Sequence, residues 1–273
     1  MSATTPKKAR ETGAIVFIPG LQGKMALEIG APAPTWSNET LVQNIAHAAS
    51  WDFYKASYQS AAHPNPLLSE MQSSVALQID RIFEAYSDRP MIICASSFGF
   101  GVMAGALTRL KSSCSRLAIL GYKPVLDPIV VIDSILKDLS DRNEPLARFI
   151  RAGFQNYELP VANDYTGLAD YFDVTSRHLN DLSAVCVAKW PTHAERLSNA
   201  IAGRNGSSTL RQSVMVFGTN DPLSPEPLMK KFQTIVGGSD CKLVAVEGGH
   251  NDNFQPQLRR ELCKLIASST QPR

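Results

Sequence analysis

Three short stretches carry residues whose types could perform nucleophilic chemistry. Residues 91–105, MIICASSFGFGVMAG, put two serines straight after an apolar run. FGTNDPLSP holds Asp221 three residues past Gly218, and VEGGHNDNF holds His250 in a glycine-rich turn. A serine hydroxyl is a weak nucleophile until a base takes its proton, and an imidazole serves best when a carboxylate orients it. The chain order Ser…Asp…His is one in which such a relay is built.

The first stretch has a rival reading. Gly99, Gly101 and Ala104 fit G-x-G-x-x-A, the glycine-rich turn of a dinucleotide site. That site needs a carboxylate about twenty residues on, at the end of the next strand, to hold the ribose. The next strand candidate, RLAILG, runs into Gly121-Tyr122-Lys123 and offers none. ASSFGFG also resembles the cofactor turn of short-chain dehydrogenases, which pair it with Tyr-x-x-x-Lys. None of the seven tyrosines has a lysine four residues later. The serine reading asks instead for a strand, a sharp turn and a helix, with small residues two before and two after the nucleophile. Around Ser97 these are Ala95 and Gly99; around Ser96 they would be Cys94 and Phe98, and Phe98 is too large. Ser97 is therefore the candidate, with Ala95 departing from G-x-S-x-G at its first position.

Positioning these residues calls for a sheet. The runs AIVFI (14–18), WDFYKASY (51–58), MIICA (91–95), RLAILG (116–121), SVMVFG (213–218) and KLVAVE (242–247) are mostly continuously apolar. Such runs suit strands covered on both faces by helices. Between them, Leu41 to Ala49, Leu68 to Tyr86, Gly101 to Lys111, Pro227 to Val236 and the tail QLRRELCKLIAS repeat apolar residues at helical spacing. The alternation predicts an α/β fold with a mostly parallel six-stranded sheet. Ser97, Asp221 and His250 would all lie past the carboxyl ends of strands, where such sheets gather functional residues. Residues 122–210 contain no convincing core strand and concentrate aromatics. They are expected to be an inserted helical cap, with 1–121 and 211–273 forming the core.

Acyl transfer through serine also needs N–H donors for the oxyanion. One should be the amide of Phe98, the residue after the nucleophile. The other should follow an earlier strand, and AIVFIPGLQGK supplies Leu21 after the Pro19-Gly20 turn. GLQGK is also similar to the end of a phosphate loop, but Ile18 stands where that motif needs glycine and Met25 where it needs Ser or Thr.

Taken together, PGLQG, ASSFG, GTNDPLSP and GGH resemble the oxyanion loop, nucleophile elbow, acid turn and base turn of the α/β-hydrolase fold family. The resemblance spans nearly the whole chain, with the cap as its variable part. The strand before the oxyanion loop comes almost first, so the family's usual initial pair of strands is expected to be missing. Pro19 stands where many members carry histidine. The resemblance implies a serine hydrolase of the carboxylesterase or thioesterase kind, with Ser97 as nucleophile, His250 as base and Asp221 as acid. Asp127, after the preceding strand, is the alternative acid. Asp252 is too near His250 along the chain to orient its ring. His47, His63, His178 and His193 read as surface or packing residues, and Tyr122 as core. Acyl transfer, amide or carbon–carbon cleavage, and a silent ligand-binding relative stay open.

Composition sets the outer bounds. With 273 residues, 44% hydrophobic and 19% charged, the chain suits one large folded unit. A net charge of +2 gives no basic footprint for nucleic acid. The five cysteines lack metal-ligand spacing and fit a reducing setting. No signal peptide or membrane span is legible, so a cytoplasmic protein is expected. Neither a metal nor an organic cofactor is called for. The expected partner is a small ester or thioester with an apolar acyl or aryl part.

Overall fold

The structure, a computed structural model, describes residues 13–20, 37–58, 68–86, 89–110, 117–125, 210–221, 224, 226–236, 241–250 and 252–270. Leu21, Asp127, His63, His178, His193 and the expected cap from 126 to 209 lie outside the described residues. Six strands form one sheet: β1 (Ala14–Ile18), β2 (Asp52–Lys55), β3 (Met91–Ser96), β4 (Leu117–Tyr122), β5 (Leu210–Gly218) and β6 (Cys241–Val246). Their order is β2-β1-β3-β4-β5-β6, and every neighbouring pair is parallel. The helices are α1 (Asn38–Ala48), α2 (Leu68–Ala85), α3 (Gly99–Leu107), α4 (Glu226–Val236) and α5 (Gln255–Ser269).

Burial explains why the strands read as unbroken apolar runs. β1, β3 and β4 are buried at every residue. Successive side chains leave a strand on opposite faces, so each strand feeds two cores. Val16, Ile18, Met91, Ile93, Ile119, Met215 and Phe217 join one, packed by α2, α3 and α4 through Val75, Ile79, Phe100, Met103 and Phe232. Ile15, Phe17, Ile92, Cys94, Leu120, Val214 and Val216 join the other, packed by Val42 and Ala46 of α1 and by Leu258, Leu262 and Leu265 of α5. Each such side chain removed from water stabilises the fold by roughly 1.5–3 kcal/mol before chain entropy is counted. Ser37 starts α1 by accepting the Thr40 amide at 3.1 Å, so the helix begins where a side-chain cap satisfies its free N–H.

Three expectations shift. β2 covers only Asp52–Lys55, so Tyr58 lies beyond the strand rather than inside it. β2 and β6 are the sheet edges, and both are partly exposed along their length. They lack the double cover that makes β1, β3 and β4 uniformly apolar. Tyr122 belongs to β4 and Leu210 to β5, so the core takes in both ends of the interval assigned to the cap. Among the described residues no helix is long and apolar enough to cross a membrane. Among them, too, no group of three or more His, Cys, Asp or Glu is placed to hold a metal ion.

The strand order has one consequence for the site. The chain leaves β1 for β2 on one side and returns to β3 on the other. Connections from β1 and β3 therefore diverge, which opens a crevice at their carboxyl ends. Pro19-Gly20 and Ser97 are the residues that flank it.

Candidate active site

Ser97 sits between the end of β3 and the start of α3 with φ at +50°. A non-glycine residue in this left-handed region costs on the order of 1 kcal/mol, and such strain persists only where the surroundings enforce it. Here they do. The Ser97 amide donates to the Tyr122 carbonyl at 2.9 Å, and its own carbonyl accepts from Phe100 at 2.9 Å and Val125 at 3.2 Å. Gly99 is small for a further reason that spacing alone could not show. A Cβ there would stand 2.1 Å from the Pro19 carbonyl oxygen and 2.7 Å from that of Ile18. The loop after β1 presses directly on the turn, which leaves room only for glycine.

His250 reaches this serine from the far side. β3 and β6 have two strands between them, so their axes lie roughly 14 Å apart. Backbone bonds tie the start of this reach to the turn after β5: Thr219 donates to Val246 at 2.8 Å and Asn220 to Gly248 at 2.9 Å. Gly248 has φ at +134°, where a side chain would be strained and would also meet the Asp252 carboxylate. The outcome is a continuous chain of side chains. Ser97 Oγ lies 3.0 Å from His250 Nε2, and His250 Nδ1 lies 2.8 Å from Asp221 Oδ2. A carboxylate only accepts, so the proton of the neutral ring belongs on Nδ1 and Nε2 keeps its lone pair toward the serine. The Asp221 side chain is 0% exposed and that of His250 12%, which strengthens both contacts by excluding water.

Phe98 occupies the N-cap of α3, so its amide has no partner within the helix and lies at the helix's positive end. Gly20 is against the serine: a Cβ on it would stand 3.2 Å from Ser97 Cβ and 3.8 Å from Oγ. Asp252 does not compete for the imidazole. Its carboxylate accepts the Gly249 amide at 2.6 Å and so braces the turn that carries His250. His47 is exposed near the end of α1, and Tyr122 is buried with its hydroxyl accepting the Phe254 amide at 3.2 Å.

Two side chains that the sequence did not single out belong to the surroundings of the site. Lys123, just past β4 with φ at +50°, donates through Nζ to the Asp252 carbonyl and lies 5.3 Å and 5.0 Å from the centres of the Tyr122 and Phe254 rings. Burial pushes its ammonium down to about 8, and the charges of Asp221 and Asp252 only partly oppose that. The Tyr58 hydroxyl lies 2.8 Å from the carbonyl oxygens of both Pro19 and Gly20, which share its single proton. The available signal was position: each residue follows the carboxyl end of a strand.

No protein-family model and no curated protein sequence matches the chain. Solved structures do. The chain aligns over 98% of its length with 92% of alpha/beta hydrolase domain-containing protein 10 from mouse, at 13% identity and a TM-score of 0.54. It aligns over 97% with 93% of Est1E from Butyrivibrio proteoclasticus, solved with ferulic acid bound, at 12% identity and 0.56. It also aligns over 94% with 95% of a monoacylglycerol lipase from Paleococcus ferrophilus, at 14% identity and 0.51. The chain has the α/β-hydrolase fold, in a form whose described sheet consists of six parallel strands.

Proposed function

We propose that this protein is a serine hydrolase that cleaves a carboxylic ester or thioester through an acyl-enzyme. The observation that carries the reading is the hydrogen-bonded sequence Asp221–His250–Ser97, with contacts of 2.8 Å and 3.0 Å, ending on a serine whose backbone is held at φ +50°. Strain at a half-buried turn serine, maintained by close backbone packing, suits a residue presented for chemistry.

In this mechanism Ser97 Oγ forms a bond to the acyl carbon while its proton passes to His250 Nε2. Asp221 holds the ring by Nδ1–H and stabilises the imidazolium. The carbonyl oxygen becomes an oxyanion, for which the Phe98 and Leu21 amides are the proposed donors. Collapse breaks the bond to the alcohol or thiol, which leaves with the proton from His250. Water then repeats the steps and releases the acid, restoring the serine. No cofactor enters this scheme.

The segment between β4 and β5 would cover the crevice as a cap and supply the apolar wall of an acyl or aryl pocket. The esterase with bound ferulic acid and the monoacylglycerol lipase named above are in keeping with a small ester as substrate. We place the enzyme in the cytoplasm.

A fluorophosphonate probe is expected to add covalently to Ser97, read by peptide mass spectrometry. Ser97→Ala is expected to abolish labelling and to lower turnover of p-nitrophenyl esters by about 10⁴-fold or more. Adduct on Ser96, or folded protein that neither labels nor turns over any ester, would falsify the proposal.

A further inference from the structure

His250 stands partway along a segment that has to be fixed at both ends. Its near end is tied to the turn after β5, where the Thr219 and Asn220 amides bond the Val246 and Gly248 carbonyls. Its far end, residues 252–254, lies in neither strand nor helix. What holds it is the end of β4. Lys123 Nζ donates to the Asp252 carbonyl, and the Tyr122 hydroxyl accepts the Phe254 amide at 3.2 Å. Asp252 then grips both peptides around Gly249. Its carboxylate accepts the Gly249 amide at 2.6 Å, and its own amide donates to the Gly249 carbonyl at 3.3 Å. The second of those peptides carries the nitrogen of His250, so whatever fixes Asp252 fixes the backbone that bears the imidazole.

The same end of β4 holds the nucleophile. The Tyr122 carbonyl accepts the Ser97 amide at 2.9 Å, and the Val125 amide donates to the Ser97 carbonyl at 3.2 Å. Residues 122–125 thus bond to the backbone of the serine and, through Lys123, to the turn of the histidine. Lys123 itself is held at φ +50° by its amide, which donates to the Val216 carbonyl at 2.7 Å. Glycine adopts that conformation freely, whereas a long side chain there is strained. Strain kept at such a place points to use of the side chain. The ammonium lies 5.3 Å and 5.0 Å from the Tyr122 and Phe254 ring centres. Among the described residues, the charged groups facing it are Asp221 from the turn after β5 and Asp252 from the turn after β6, with the His250 ring bonded to Asp221. Removed from most of the water, its bond to the Asp252 carbonyl is the stronger for it.

We propose that Lys123 is a positioning residue for the base: its ammonium holds the Asp252 carbonyl, and through Asp252 the turn that keeps the His250 imidazole between Asp221 and Ser97. The inference rests on the hydrolase reading above and adds to it a side chain that stands outside the relay. Proton transfer needs Nε2 within hydrogen-bond reach of the hydroxyl in both halves of the reaction. A turn freed at its far end holds that geometry for less of the time, which lowers kcat and leaves ground-state binding unchanged.

Lys123→Met keeps the aliphatic stem and removes the donor. A misplacement of about 1 Å at the reacting atoms can cost about a hundredfold, so with the near end of the turn still tied a loss of about tenfold in kcat toward p-nitrophenyl acetate is expected. KM is expected to stay within about twofold. A lysine that merely packs would give the rate no pH dependence of its own. Burial brings this ammonium down to about 8, so it is charged below that pH and neutral above it. A neutral amine donates a weaker bond, and the wild-type kcat should therefore fall by about threefold between about pH 7 and about pH 9.5. Lys123→Arg keeps a charge that does not titrate in this window, and its kcat should hold steady where that of the wild type falls. An active wild type beside a Lys123→Met variant of equal kcat would overturn the inference and leave the hydrolase reading standing. A rise in KM alone would overturn it too, by assigning Lys123 to substrate binding. So would a kcat that follows the same pH course in the wild type and in Lys123→Arg. If Lys123→Met does not fold, that last comparison decides alone. A folded wild type with no turnover and no label at Ser97 would remove both proposals.

Discussion

The turn after β3 and the turn after β6 meet at one hydrogen bond, yet they are built by different means. The serine turn follows a fully buried strand and is shaped by exclusion: Gly99 against the Pro19 carbonyl, Ala95 in the sheet, Ser97 forced to φ +50°. The histidine turn follows a half-exposed edge strand and is shaped by attraction. The Asp252 carboxylate holds the Gly249 amide, Lys123 holds the Asp252 carbonyl, and Asp221 holds the ring. The contrast follows from where each strand lies. A central strand has packed neighbours on every side and can enforce a strained backbone. An edge strand has few, so polar side chains must do the positioning.

If the serine turn depends on exclusion, its failure should be abrupt. Gly99→Ala puts a methyl group inside the Pro19 carbonyl, and backbone rather than a flexible side chain would have to move. A stability loss of about 2–4 kcal/mol is expected in urea unfolding. Any protein that remains folded should have lost most of its ester turnover. Wild-type stability and turnover in this variant would mean that the two loops are not in contact as described.

If the histidine turn depends on attraction, its charge should be visible in the pH dependence of stability. The Lys123 ammonium, near 10.5 in the unfolded chain, is down to about 8 in the fold, chiefly through burial. The unfolded state therefore binds the proton more tightly between these values, and folding stability should rise as pH climbs through that window. Lys123→Met cannot titrate there. Thermal melts of the two proteins from pH 7 to pH 10.5 should diverge in favour of the wild type with rising pH. Parallel curves would show that Lys123 is hydrated like a surface lysine.

The smallest effect sharpens the contrast by relieving strain. Ser97→Gly should be inactive and more stable by about 1 kcal/mol, since glycine adopts φ +50° without penalty. A destabilised variant would mean that the serine side chain contributes more through its bond to His250 than the backbone loses.

Much of this was legible in the chain itself, for a physical reason. Strands buried on both faces cannot tolerate polar residues, so AIVFI, MIICA and LAILG announce themselves, and helices betray their buried stripe. The choice of Ser97 over Ser96 followed from side-chain size at the flanking positions. The preference for Asp221 over Asp252 followed from the reach between residues close along the chain. The parts that were not legible involve contacts between distant segments. Which strands lie at the edges depends on sheet order, and where β2 ends depends on its partner: its ladder with β1 stops at Phe17 and Lys55, before Tyr58.

Sequence by itself determined the alternation of strands and helices and the residue types available for acyl chemistry, because burial and size act locally and leave periodic traces. Only the tertiary structure decided that Gly99 must yield to Pro19, that Lys123 spans from β4 to the histidine turn, and that Tyr58 holds the loop beside the serine. Those are distances between backbones and side chains tens of residues apart, set by packing that no local pattern encodes.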